Sequence, residues 1–146
     1  MDDGVSPCSL TFNQKFPKLI NSERSEYIAE LVHFLFKATD QEFAKHINDW
    51  IDINSVIDWH LLLLLANNGD GVIKNFFLYK LDSKTPFRIA IWDYDHSFGR
   101  DGDGELNMMK TTLDINSSIL FKRLLANPNG FYKEKLKARW FELRHS

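Results

Sequence analysis

Asn67-Asn68-Gly69-Asp70-Gly71-Val72-Ile73-Lys74-Asn75-Phe76-Phe77-Leu78-Tyr79, then Phe87-Arg88-Ile89-Ala90-Ile91-Trp92-Asp93-Tyr94-Asp95-His96-Ser97-Phe98-Gly99, is the stretch on which the fold turns. Phe76 to Leu81 and Phe87 to Trp92 are rich in aromatic and branched residues, the composition of strands. Between them Asp82-Ser83-Lys84-Thr85-Pro86 reads as a hairpin loop, with Pro86 at a strand start where no ladder hydrogen bond is lost. Asp70 stands five residues before Asn75, and Asp93 and Asp95 close the second run. A hairpin returns the end of its second strand to the start of its first, so the two acidic loops share one end. Asn75, Asp93 and Asp95 then offer hard oxygen ligands suited to Mg²⁺, Mn²⁺ or Ca²⁺, and through the ion to phosphate.

Upstream, the pattern is helical. Tyr27, Ile28, Leu31, Val32, Leu35 and Phe36 recur on one helix face. Thr39 and Glu42 have the spacing of a capping box, opening a second helix with Phe43, Ala44, Ile47, Trp50 and Ile51 on its apolar side. Asn54 is the expected cap of a third helix, Ser55 to about Ala66, apolar nearly all round and so expected at the middle of the domain. Asn67-Asn68-Gly69 ends it with a turn signal. Residues 1–20 read as an extended lead-in and residues 99–118 as a long glycine-rich loop. Ile119 to Leu125 reads as a short helix, and Tyr132, Leu136, Trp140 and Leu143 mark a last one. The fold class expected is α+β, mostly helical, with one central hairpin in a single domain over residues 1–146.

Composition narrows the function. The chain has 146 residues, 44% hydrophobic and 26% charged, within the range of globular domains with their own core. Twelve Phe and four Trp supply large buried areas for that core, and Trp59, Trp92 and Trp140 all sit in apolar patterns. A net charge of −2 and no basic run argue against nucleic acid as a partner. The longest apolar run, Trp59 to Ala66, is too short to span a membrane. One cysteine, Cys8, excludes an internal disulfide and any multi-cysteine metal site. No charged-then-apolar leader opens the chain, so either one was removed or this is an internal piece.

Other motifs carry less. Counted from Asp93, the glycine and glutamate positions of a calcium-binding EF-hand fall on Phe98 and Gly104; from Asp101 they fall on Leu106 and Thr112. Both registers fail, and Asp101, Asp103 and Glu105 read as a solvated acidic loop. His60 and His96 lack partners at zinc-ligand spacing. Asn116-Ser117-Ser118 fits a glycosylation sequon.

The order helix, Asp-x-x-x-x-Asn loop, hairpin, Asp is similar to that of a protein-kinase catalytic lobe, in which the loop Asp accepts the substrate proton and the Asn and later Asp hold Mg²⁺. The competing reading is that Asp70 and Asn75 only close a turn. The run Ile91 to Gly99 resembles the WDFDxxFG signature of the spore-coat protein H (CotH) kinase family. Ile51 to Asp58, Asn68 to Tyr79, Phe121 to Leu125 and Arg139 to Arg144 follow the same family order. The resemblance implies an atypical kinase-like C-terminal lobe that transfers the γ-phosphoryl group of ATP to Ser or Thr of a protein substrate. Asp70 would be the catalytic-loop Asp, Asn75 and Asp93 would hold the Mg-ATP, and Asp95 would be an additional metal ligand. It also implies a spore-coat or cell-surface location. No Gly-rich loop and no strand lysine precede the first helix, so the ATP-cradling N-terminal lobe is expected to belong to a longer parent protein. The alternative function is a non-catalytic coat or cell-surface assembly module with a structural metal site.

Overall fold

The computed structural model describes Phe12, Lys15, Phe16 and residues 26–100, 112–127 and 130–146. Cys8, most of the lead-in and residues 101–111 of the long loop lie outside the described residues. The chain divides into two compact units, Met1–Ala38 and Thr39–Ser146.

In the first unit, α1 (Glu26–Lys37) buries Leu31 and Leu35, while Tyr27 and Phe36 are exposed. Its sheltered stripe is therefore narrower than the six-residue face expected. Ala38 extends the helix by donating its N–H to the Phe34 carbonyl at 3.1 Å.

The second unit opens on α2 (Asp40–Trp50), and Thr39 caps it in the expected capping box. The Glu42 N–H donates to Thr39 Oγ1 at 3.3 Å, and the Thr39 N–H donates to Glu42 Oε2 at 2.8 Å. Phe43 and Ile47 are buried on the apolar side. Ile51, expected on the same helix, instead turns extended and bridges Phe87 in parallel. The Asp52 N–H donates to Phe87 O at 2.7 Å, and the Phe87 N–H to Trp50 O at 2.8 Å. That bridge fixes Asp52 in the extended conformation an N-cap needs, so α3 (Ile53–Ala66) begins two residues before the expected start. Asp52, not Asn54, is the cap: its Oδ1 accepts from the Asn54 and Ser55 N–H groups at 2.9 and 3.3 Å.

The central part of α3 is the core. Trp59 lies between Phe76 and Phe121, ring centroids 4.7 and 4.6 Å away. His60 packs on Phe121 at 4.8 Å and meets the buried Tyr132 hydroxyl at 2.9 Å. Phe121 and Tyr132 come from α5 (Ile119–Ala126) and α6 (Phe131–His145), and both are fully buried. Each such side chain contributes about 1.5–3 kcal/mol by leaving water. Toward its C-terminus α3 emerges, with Leu64 and Leu65 exposed. Along α6 burial fades in the same way. Tyr132 is enclosed, but Trp140 and Leu143 are exposed, so the last helix is not apolar-faced along its length and Trp140 is not a core residue. Arg139 on α6 instead donates through Nε to Asp58 Oδ1 on α3 at 2.8 Å.

The hairpin pairs β1 (Phe76–Tyr79) antiparallel to β2 (Arg88–Ile91), with Phe76 opposite Ile91 and Tyr79 opposite Arg88. Both strands are shorter than expected. Phe87 spends its backbone bonds on the α2–α3 crossing, and Asp82 folds the loop by accepting from the Lys84 and Thr85 N–H groups at 2.7 and 2.9 Å. A mostly helical α+β architecture with one two-stranded antiparallel sheet results.

Candidate functional site

At the end of α3, Asn67 takes the left-handed conformation (φ 50°), which asparagine tolerates better than most residues. The chain then enters α4 (Asp70–Ile73), a single turn that begins on Asp70. The N–H groups of Lys74 and Asn75 both donate to the Asp70 carbonyl, at 2.9 and 3.0 Å. Asp70 is thus on a helical turn rather than in an open loop, and the same turn delivers Asn75 to the start of β1.

The two acidic segments do meet at one end of the hairpin. The Trp92 N–H donates to Asn75 O at 3.3 Å, continuing the ladder one step past the strands. Asn75 Nδ2 donates to the Asp93 carbonyl at 2.9 Å. Asp93 itself is left-handed (φ 56°), a conformation that costs a non-glycine residue on the order of 1 kcal/mol and here turns the chain out of the strand. With its Nδ2 engaged, Asn75 has its amide oxygen as the atom for a ligand.

Two residues beyond the sequence expectation hold this end together. Asn68 is fully buried, accepts the Gly71 N–H on Oδ1 at 2.6 Å and donates from Nδ2 to Ser97 Oγ at 3.0 Å. It ties the Asp70 turn to the Asp93–Asp95 loop, and the Phe98 N–H adds a bond to Ala66 O at 2.6 Å. Gly71 is the second. A Cβ there would lie 2.7 Å from Leu63 Cδ2 and 2.8 Å from Tyr94 Oη, so Tyr94 packs on bare backbone. The Tyr94 hydroxyl and Trp59 Nε1 are buried without a protein partner in hydrogen-bonding geometry. Burial pushes the Tyr94 phenol up, and the neighbouring indole offsets part of that rise.

Lys74 is the residue the sequence reading overlooked. Its Nζ lies 2.9 Å from Asp70 Oδ2, and its pKa is raised first by that hydrogen bond and the Asp70 charge, then by Asp93 and Asp95. The signal in the sequence was the i,i+4 spacing of Asp70 and Lys74, readable only once a helix is known to begin at Asp70. Three carboxylates and one ammonium therefore share this edge of the molecule. His96 Nε2 stands 3.8 Å from Asp95 Oδ2. Trp92, expected in the core from its apolar pattern, is exposed and lies against Phe77, 5.9 Å between ring centroids.

As a metal site the donor set has the right chemistry. Asp93 and Asp95 carboxylates with the Asn75 amide oxygen are hard ligands, and the excess of negative charge matches a divalent ion. Among the described residues no three His, Cys, Asp or Glu side chains converge on a common point at metal-binding distance.

A helical unit that uses one hairpin to bring an Asp-x-x-x-x-Asn turn against an Asp-x-Asp loop defines an α+β protein with an acidic site at the hairpin's end. The chain belongs to the CotH kinase protein family, whose model matches residues 9–146. Among curated proteins it is similar to the inner spore coat protein H of Bacillus subtilis (strain 168), 25% identical over 79 residues. That match covers 54% of this chain and 22% of the relative, so the chain spans about a fifth of the relative's length. No solved structure matches it.

Proposed function

We propose that this chain carries the metal- and phosphate-binding centre of an ATP-dependent protein kinase that acts in the spore coat or at the cell surface and phosphorylates Ser or Thr of a protein substrate. The observation that carries the reading is the Asn75 Nδ2 bond to the Asp93 carbonyl. It joins the turn that carries Asp70 and Asn75 to the loop that carries Asp93 and Asp95, and so supports these residues acting at one end of the hairpin. The order of these groups along the chain supports a kinase-like C-terminal lobe, and the name of the Bacillus relative supports the location. The remaining parts of the enzyme, including a lobe to cradle adenine, belong in this reading to a longer parent protein.

In this mechanism Asn75, Asp93 and Asp95 would hold the divalent ion, which would supply neutralisation of charge on the phosphates. Asp70, the first residue of α4, would take the proton of the attacking hydroxyl. Its place on a backbone turn tied through Asn68 to the opposite loop keeps the base in register with the ligands, the positioning on which phosphoryl transfer depends.

Two substitutions test the reading in a parent protein that contains this chain. Asp70→Asn keeps shape but removes the base and is expected to cut kcat by roughly 10²-fold or more, with ATP affinity little changed. Asp93→Asn should weaken metal-nucleotide binding as well as turnover. Phosphate transfer and melting are measured on the same preparations. A well-folded Asp70→Asn protein with near-normal turnover would leave Asp70 as a turn residue only. A second reading, a non-catalytic assembly module, draws on the exposed Phe77, Ile91, Trp92 and Phe98 around the site. It forecasts no transfer by the parent protein under any condition.

A further inference from the structure

Charge on this chain is segregated. The net charge is −2, yet α6 carries five Lys or Arg against two Glu, so this one helix is three positive. Arg139 spends its charge within the fold, on Asp58 Oδ1 at 2.8 Å and on Glu142 Oε2 at 3.0 Å. Lys133, Lys137 and Arg144 are exposed and make no ion pair among the described residues. Helical spacings of four and seven residues return to the same side, so these three form one line down the outer face, about 16 Å long from the helical rise. Trp140 and Phe141 border that line on its two sides, 44% and 47% exposed. The Arg144 guanidinium lies 5.9 Å from the Trp140 ring centre, a cation–π distance. Glu134 falls beyond Phe141, outside the line. A solvated helix face needs charges but not aromatic rings, whereas Trp beside Arg is a composition in which protein interfaces are enriched.

We propose that this outer face of α6 is a docking surface for an acidic, extended segment of a partner protein. Lys133 and Lys137 stand about 6 Å apart along the helix axis. Alternate residues of an extended peptide point the same way and stand about 6–7 Å apart, so carboxylates at every second position meet the cations in line. Arg144 takes a carboxylate through two parallel N–H bonds, and the lysines adapt to theirs on flexible stems. The methylene stems of the acidic side chains pack on the bordering rings. The order of the groups favours a peptide over a lipid surface. A helix lying in a bilayer interface turns an apolar face inward and carries its cations on the opposite, polar face, but here the cations run down the middle and the rings border them. The surface uses none of the residues of the acidic site, so it stands independently of the phosphoryl-transfer reading.

Fluorescence anisotropy tests the proposal on the 146-residue chain. The probe is a labelled peptide of about twelve residues that alternates Glu and Thr, long enough to cover the line when extended. The chain is expected to bind it at low salt, to lose affinity as salt is raised, and to ignore the matching Lys-Thr peptide. Lys137→Glu combined with Arg144→Glu should lower the affinity roughly tenfold or more, the scale of several exposed ion pairs. Lys45→Glu combined with Lys84→Glu changes the net charge equally at exposed positions on α2 and the hairpin loop, and should leave the affinity within about twofold of the parent because those charges lie off the line. Trp140→Ala should weaken binding roughly fivefold. Circular dichroism checks the helix content of each protein. Lys133→Gln with Lys137→Gln serves where charge reversal perturbs the helix, with a smaller loss in the same direction. No binding by the parent chain, or equal losses in the two charge-reversed variants, overturns the proposal. Capture of the chain by phosphatidylcholine–phosphatidylserine vesicles without binding of the peptide also overturns it, and would make the face a lipid-binding one.

Discussion

Gly71 joins the core to the acidic site through a contact that a single methyl group tests. A Cβ at this position would meet Leu63 Cδ2 at 2.7 Å, Tyr94 Oη at 2.8 Å and Tyr94 Cζ at 3.0 Å. Leu63 is fully buried and has nowhere to retreat, so Tyr94 must move. Overpacking of this kind costs about 1–3 kcal/mol. Alanine in place of glycine on a helical turn returns at most about 1 kcal/mol. The net expectation for Gly71→Ala is a loss of about 1–2 kcal/mol, or roughly 2–8 °C in Tm for a chain of this size. Because Tyr94 lies between Asp93 and Asp95, the displaced ring should also disturb the loop proposed to hold a metal ion. The rise in Tm on adding Mg²⁺ or Mn²⁺ should therefore be smaller in Gly71→Ala than in the parent chain. Tyr94→Leu in the same background removes the atoms beyond Cγ that clash and should make the alanine less costly, a coupling read from a double-mutant cycle. Equal Tm and equal cation response in Gly71→Ala and parent would show that Tyr94 does not pack on this backbone as described.

Three further outcomes follow from other contacts. Burial holds the His60 pKa down to about 4, below the unfolded value of about 6.5, so the unfolded chain binds the extra proton. Stability is then fully present above about pH 6.5 and falls as the pH drops toward 4, and His60→Gln should flatten that part of the melting profile relative to the parent. Tyr94→Phe removes a buried hydroxyl that no protein group meets in hydrogen-bonding geometry, with only the Trp59 indole acting on it, so urea unfolding should show unchanged or slightly higher stability, by up to about 1 kcal/mol; a clear loss would mean that the indole contact is a hydrogen bond. Asp52→Ala deletes the cap of α3 and the partner of Arg88 Nε at 3.0 Å, with an expected cost of about 1–2 kcal/mol in the same assay.

Local chemistry along the chain was enough for several elements. The capping box at Thr39 and Glu42 depends only on residues three apart. The hairpin depends on two strand-like runs around a polar turn, and those runs do pair, with Phe76 opposite Ile91. From that hairpin alone it follows that the turn before β1 and the loop after β2 share an end, which is why Asp70, Asn75, Asp93 and Asp95 could be named together. Where long-range contacts set the outcome, the sequence was silent. The cap of α3 moved to Asp52 because Phe87, distant in the chain, pairs with the α2–α3 crossing. Trp59, Trp92 and Trp140 look alike in an apolar pattern, yet only Trp59 is enclosed, since burial depends on which other elements arrive at a face. The roles of Asn68, Gly71 and Lys74 likewise required the tertiary structure. A buried amide is a strut only if Ser97 lies within reach of it, a glycine is obligatory only if Tyr94 packs on it, and a lysine pairs with Asp70 only once a helical turn begins there.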